Sequence, residues 1–117
     1  MGGQLAYHDG LNAEESVARH YHAAGHDILA RRWCSRAGEI DLITRKDGNV
    51  IFVEVKKSRN FARAAESLRP RQIARIYASA EAFLGGEPEG LNTAARFDVA
   101  LVNAKGEISI LENAICA

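Results

Sequence analysis

Cysteine is scarce in this chain, and its scarcity removes several classes of protein at once. Cys34 and Cys116 stand far apart and neither has a C-x-x-C partner, so no zinc knuckle and no disulfide framework is expected; both read as free thiols. No apolar run approaches the roughly 18 residues needed to span a bilayer, and the N-terminus lacks a charged-then-apolar signal pattern, so the expectation is a cytoplasmic protein with no membrane partner. Low-complexity tracts and fixed-period repeats are missing too. A chain of 117 residues holds enough material for one core and too little for two. One domain over 1–117 is expected, with residues 1–9 as an N-terminal tail and 10–114 as its core.

Net charge is lacking as well: 15 basic residues balance 15 acidic ones. The total hides a segregation, because residues 1–30 carry −3, residues 31–75 carry +7 and residues 76–117 carry −4. Arg36, Lys57, Arg59, Arg71 and Arg75 lie in the basic block, whose density suits neutralising the phosphates of a nucleic-acid backbone. Folding can also intersperse those charges with acids from the other segments, and charge alone leaves both readings open.

What is present is a clear alternation of patterns. Asn12 and Glu15 form a capping-box-like start for a helix that Gly25 ends, with Leu11, Glu14, Ala18 and Tyr21 on one stripe. Glu14 therefore points toward the core. Strands are expected at Ile28 to Cys34, Gly38 to Thr44 and Val50 to Lys56, the last two joined by an Asp47-Gly48 hairpin. From Ala62 the period turns helical, with Pro70 near the start, and Ile73, Ile76, Tyr77, Ala80, Phe83 and Leu84 make an apolar stripe that Gly85-Gly86 ends. A buried strand at Phe97 to Val102 and an edge strand at Ile108 to Leu111 complete an αβββαββ order. A right-handed crossover then sets the Phe97 strand parallel to the Val53 strand in a mixed sheet with helices on its faces.

The hairpin carries the chemistry. A two-residue loop at Asp47-Gly48 puts Asp41 opposite Glu54 and Glu39 opposite Lys56, all on one face, while Ile40, Leu42, Val53 and Val55 form the other, apolar face. Two opposed carboxylates about 5 Å apart repel by roughly 3 kcal/mol at an effective dielectric near 20, so something must offset them. Magnesium or manganese does so directly, because hard cations take carboxylate oxygens and leave positions for phosphate oxygens. Lys56 on the same face can steady charge developing on a phosphoryl group. Glu14, a carboxylate aimed at the core, adds to an acidic pocket if it converges there. The alternative is a set of surface ion pairs each worth about 1 kcal/mol or less, with Glu14 paired to a nearby arginine. His20, His22 and His26 straddle a helix end without further ligands at zinc spacing, and Trp33 reads either as a stacking platform or as partial core.

Gly38-Glu39-Ile40-Asp41-Leu42-Ile43, Phe52-Val53-Glu54-Val55-Lys56 and Arg96-Phe97-Asp98-Val99 resemble the motifs of the YraN-like family, over roughly residues 10 to 114. That family is similar to restriction-endonuclease-like and Holliday-junction-resolvase-like folds. The resemblance implies a three-layer PD-(D/E)xK nuclease core in which Asp41, Glu54 and Lys56 are the D...ExK signature and Glu14 matches the helix carboxylate of resolvases. It further implies a metal held by Asp41, Glu54, Glu14 and Val55, and a nucleic-acid contact through Arg36, Lys57, Arg59, Arg71, Gln72 and Arg75. Gln72 and Ser58 stand where the family commonly has Lys and Arg, and Ala13 where it commonly has Gly. The expected activity is magnesium- or manganese-dependent hydrolysis of DNA, in preference to RNA, on branched or processed intermediates, by a symmetric dimer. A module that binds nucleic acid on the same fold without turnover is the rival expectation.

Overall fold

The computed structural model describes residues 2–66 and 68–114, with side chains over 12–63 and 68–114; Cys116 and the side chain of Leu11 lie outside them. Helix α1 (Gly2–Ala23) leads into strands β1 (Asp27–Ser35), β2 (Gly38–Lys46) and β3 (Asn49–Lys57). Helices α2 (Phe61–Glu66) and α3 (Pro70–Leu84) follow, then a 3-10 turn and strands β4 (Ala95–Val102) and β5 (Ile108–Leu111). The five strands lie in sequence order in one sheet, β3 and β4 parallel and every other pair antiparallel. The mixed sheet between helices is the expected one, with one short helix added.

Three local features explain the boundaries. The first helix begins at Gly2, ahead of the Asn12 start that the capping pattern suggested, and runs through Asp9-Gly10. Asp, Asn and Gly each lower helix propensity by about 1 kcal/mol or less relative to Ala, and the docked face through Ala13, Val17, Ala18 and Tyr21 outweighs that. Its other end fits expectation: Gly25 takes φ +93°, and the His26 N–H turns back to the Tyr21 carbonyl at 3.0 Å. The single helix expected from Ala62 is two, because Arg69 before Pro70 is extended (φ −104°, ψ 155°), the conformation a following proline ring favours.

The hairpin holds the expected register. Asp47 (φ +52°) and Gly48 (φ +81°) both occupy the left-handed region that a type I′ turn requires. Pairing runs from Lys46↔Asn49 to Leu42↔Val53. Alternation along β3 then sends Ile51 and Val53 to the α1 face and Val50 and Phe52 to the α3 face. Each fully buried side chain of this size contributes about 1.5–3 kcal/mol of burial.

One expectation about the faces fails. Ile40 and Leu42 do not share a face: Ile40 packs with Ile43 against α3, whereas Leu42 packs against α1. The paired strand shows the same irregularity, with Ala30 and Trp33 both on the α3 side. Between them Arg32 sits at φ +50°, a left-handed backbone that interrupts the strand's two-residue period.

Candidate active site

That irregularity is where the acidic side chains gather. β2 pairs with β3 only as far as Leu42↔Val53, and beyond that point the Asp41 carboxylate takes the place of a ladder carbonyl, accepting the Val55 N–H at 2.8 Å. The carboxylate is thereby held in the gap between the diverging strands. It borders a cleft of about 230 Å³ on the α3 side and another of about 170 Å³ on the α1 side.

Glu54 lies on the α3 face, 8% exposed, and its carboxyl lies close against that of Asp41. Gln72 of α3 donates from Nε2 to Glu54 Oε1 at 3.0 Å and accepts from Lys56 Nζ at 2.9 Å. Lys56 itself stands 3.8 Å from Glu54 Oε1. Asp41, Glu54 and Lys56 thus converge, joined by a glutamine that the sequence placed among nucleic-acid contacts. Nothing in the sequence pattern aims Gln72 here; its place depends on how α3 docks.

Burial dominates the electrostatics. It pushes the Glu54 carboxyl up to about 8, reinforced by the charge of Asp41 and the hydrogen bond to it and opposed by Lys56. Asp41 is also raised by burial, with the Val55 N–H and the bond to Glu54 pulling the other way. Burial thus favours the protonated form of both carboxyls, and the two titrate together as one pair.

Glu14 lies on the opposite side of the sheet, in the smaller cleft with Asp41, Arg31 and Arg32, and its carboxyl is raised by burial and then by Asp41. It faces Asp41 but not the Glu54 cleft. The Glu39–Lys56 opposition does not form: Glu39 instead pairs with Arg32 at 3.1 Å, because the left-handed turn at Arg32 brings the guanidinium across to it. Among the described residues no three His, Cys, Asp or Glu side chains assemble into a group able to hold a metal ion. What the site offers is the buried Glu54 carboxyl beside the half-buried carboxyl of Asp41. This donor set fits a hard divalent cation that takes one or two carboxylates and fills its remaining positions with water, with Asp41 and Glu54 as the residues to hold it.

The basic residues divide. Arg75 and Gln72 line the Glu54 cleft, and Arg71 is exposed on the same helix. Arg36 is exposed in the β1–β2 turn and Arg59 in the bend after β3. Lys57 lines a different cleft with Asn12, Ser16 and Asn103 on the α1 side. The turn carrying Arg36 is held to α3 by Ser35 Oγ–Ser79 Oγ at 3.1 Å.

A second polar cluster went unread in the sequence. Asp98 is completely buried in β4 and accepts from Tyr21 Oη at 2.8 Å, from Arg96 Nε and Nη2 at 3.0 and 3.2 Å, and from the Asn113 N–H at 2.9 Å. An aspartate within the apolar run Phe97 to Val102 was the available signal, since a carboxylate in a buried strand must be paired. Burial and then Asp98 raise the Tyr21 hydroxyl pKa. His26 is buried against Thr44 Oγ1 at 2.9 Å, and Trp33 packs edge-on against Phe83 with ring centroids 5.4 Å apart, so both belong to the core.

Fold and site together define a small α/β domain with a carboxyl pair beside a lysine where β2 and β3 diverge within a mixed sheet. Residues 13–102 match the model of Uncharacterised protein family UPF0102, and the chain belongs to that family. A family member from Cereibacter sphaeroides strain KD131 is 55% identical over 117 residues, covering 100% of both chains. One from Ruegeria pomeroyi is 55% identical over 105 residues, 90% of this chain and 85% of its own, and one from Azorhizobium caulinodans is 46% identical over 111 residues, 95% and 85%. Among solved structures, a repair endonuclease from Pyrococcus abyssi superposes with a TM-score of 0.48 at 20% identity, over 80% of this chain and 39% of that chain. No helix among the described residues is long and apolar enough to cross a membrane.

Proposed function

We propose that the chain is a magnesium- or manganese-dependent nuclease that hydrolyses phosphodiester bonds in DNA. The observation that carries this reading is the convergence of Asp41, held by the Val55 N–H, with the buried Glu54 and with Lys56, two carboxyls whose ionisation burial opposes and a divalent cation would favour. When bound, such a cation polarises a phosphoryl oxygen and makes water a better nucleophile. The chain's own residues supply the rest. Asp41, fixed by the Val55 N–H, and Glu54, once deprotonated, hold the cation. Lys56 places a positive charge beside the cleft where charge develops on phosphate. Arg71 and Arg75 on α3 steady the nucleic-acid backbone at the mouth of the cleft. Glu14 acts on Asp41 through the smaller cleft and is not needed to hold the cation.

Purified protein is incubated with supercoiled plasmid and with a four-way DNA junction, with and without magnesium or manganese. Cation-dependent cleavage that disappears in Asp41→Asn and Glu54→Gln supports the reading; cleavage that persists in both variants retires it. A second reading, binding of nucleic acid without turnover, draws on the ligand count, since among the described residues no three His, Cys, Asp or Glu side chains gather into a group able to hold a metal ion. Salt-sensitive DNA binding indifferent to metal and to Asp41→Asn supports that alternative.

A further inference from the structure

Gln72 sits between the two groups whose separation matters most. A lysine and a glutamate two residues apart on one strand face are free to close into a direct ion pair, with nitrogen and oxygen about 2.8 Å apart. Here Lys56 Nζ stays 3.8 Å from Glu54 Oε1. The carboxamide occupies both partners at once: its oxygen accepts from Lys56 at 2.9 Å and its nitrogen donates to Glu54 at 3.0 Å. Its orientation is unambiguous, because an ammonium only donates and so requires the oxygen end. The spacer also has a fixed base, since Gln72 lies in the first turn of α3 and that helix is tied to the β1–β2 turn through Ser79.

We propose that Gln72 is a positioning residue that holds the Lys56 ammonium off Glu54, leaving that carboxyl to Asp41 and to an incoming divalent cation. The inference rests on the metal-site reading above. Without the spacer, Lys56 closes on Glu54 and competes with the cation for the same oxygen. Gln72 then needs no contact of its own with the nucleic acid, in contrast to Arg75.

The test is a double-mutant cycle on manganese affinity, measured calorimetrically on the full chain without nucleic acid, using Gln72→Met and Lys56→Met. Methionine keeps the length of the glutamine and removes both hydrogen bonds. Gln72→Met is expected to weaken manganese binding about fivefold, whereas adding it to Lys56→Met changes affinity less than about twofold. Equal losses in the two backgrounds overturn the proposal, since the glutamine would then act without the lysine. A crystal structure of Gln72→Met judges the spacer apart from the metal reading: Lys56 Nζ within about 3 Å of a Glu54 oxygen supports it, and an unmoved Lys56 overturns it. A wild-type chain with no manganese affinity defeats the metal site alone, and that crystal structure then decides the spacer.

Discussion

The molecule buries carboxylates in two places and treats them oppositely. Asp98 receives a guanidinium through two nitrogens, a tyrosine hydroxyl and a backbone N–H, so its charge is matched within the fold. Asp41 and Glu54 receive one backbone N–H, one carboxamide N–H and a lysine at 3.8 Å, and otherwise lie against each other. A carboxylate matched by its own chain closes the structure around it. A pair left short of positive charge is held toward its protonated form, and a nearby cation would favour its ionisation.

The largest expected effect breaks the first region. Asp98→Ala leaves Arg96 and Tyr21 without their shared acceptor and should cost about 3 kcal/mol of stability in urea unfolding. Glu54→Gln should behave in the opposite way, staying within about 1 kcal/mol of wild type because glutamine can donate to Asp41 as the protonated acid does. On the function side, Asp41→Asn and Glu54→Gln should each lower cation-dependent DNA cleavage by about 100-fold or more, read from initial rates.

Burial of Glu54 also makes stability depend on pH. The folded chain raises Glu54 from 4.5 to about 8, so between those values the native state holds a proton that the unfolded chain has released. Stability from this group is fully present below pH 4.5 and is lost as pH rises through about 8. His26, lowered by burial, works with the opposite sign, so the informative quantity is the difference between wild type and Glu54→Gln across that window. Wild type should lose stability relative to the variant as pH rises. The smallest effect belongs to the exposed Arg32–Glu39 pair, whose side chains are 57% and 40% exposed; Glu39→Gln should change stability by about 0.5 kcal/mol or less.

Much of this arrangement was legible in the sequence. Asp47-Gly48 set one hairpin register, and its extension one step past Leu42↔Val53 pointed to Asp41 and Glu54 as neighbours without reference to any relative. Local turn chemistry and alternation suffice when they govern neighbouring strands. They fail where a backbone leaves its period: a left-handed Arg32 has no sequence signal as strong as Asp-Gly, yet it separates Ile40 from Leu42 and redirects Glu39. Glu14 was correctly aimed inward, but a sheet lies between it and Glu54, with Asp41 reachable from both sides. Gln72 and Asp98 depend on how α3, α1 and the C-terminal segment dock, which is long-range information that neither propensity nor spacing contains.

On the proposed reading, a divalent cation at Asp41 and Glu54 displaces a proton from the pair. Calorimetric titration of manganese at neutral pH, in buffers of different ionisation enthalpy, counts the protons released on binding. Release of about one proton per cation by the wild-type chain and none by Glu54→Gln is expected. Binding without proton release, or equal binding by the variant, would contradict it.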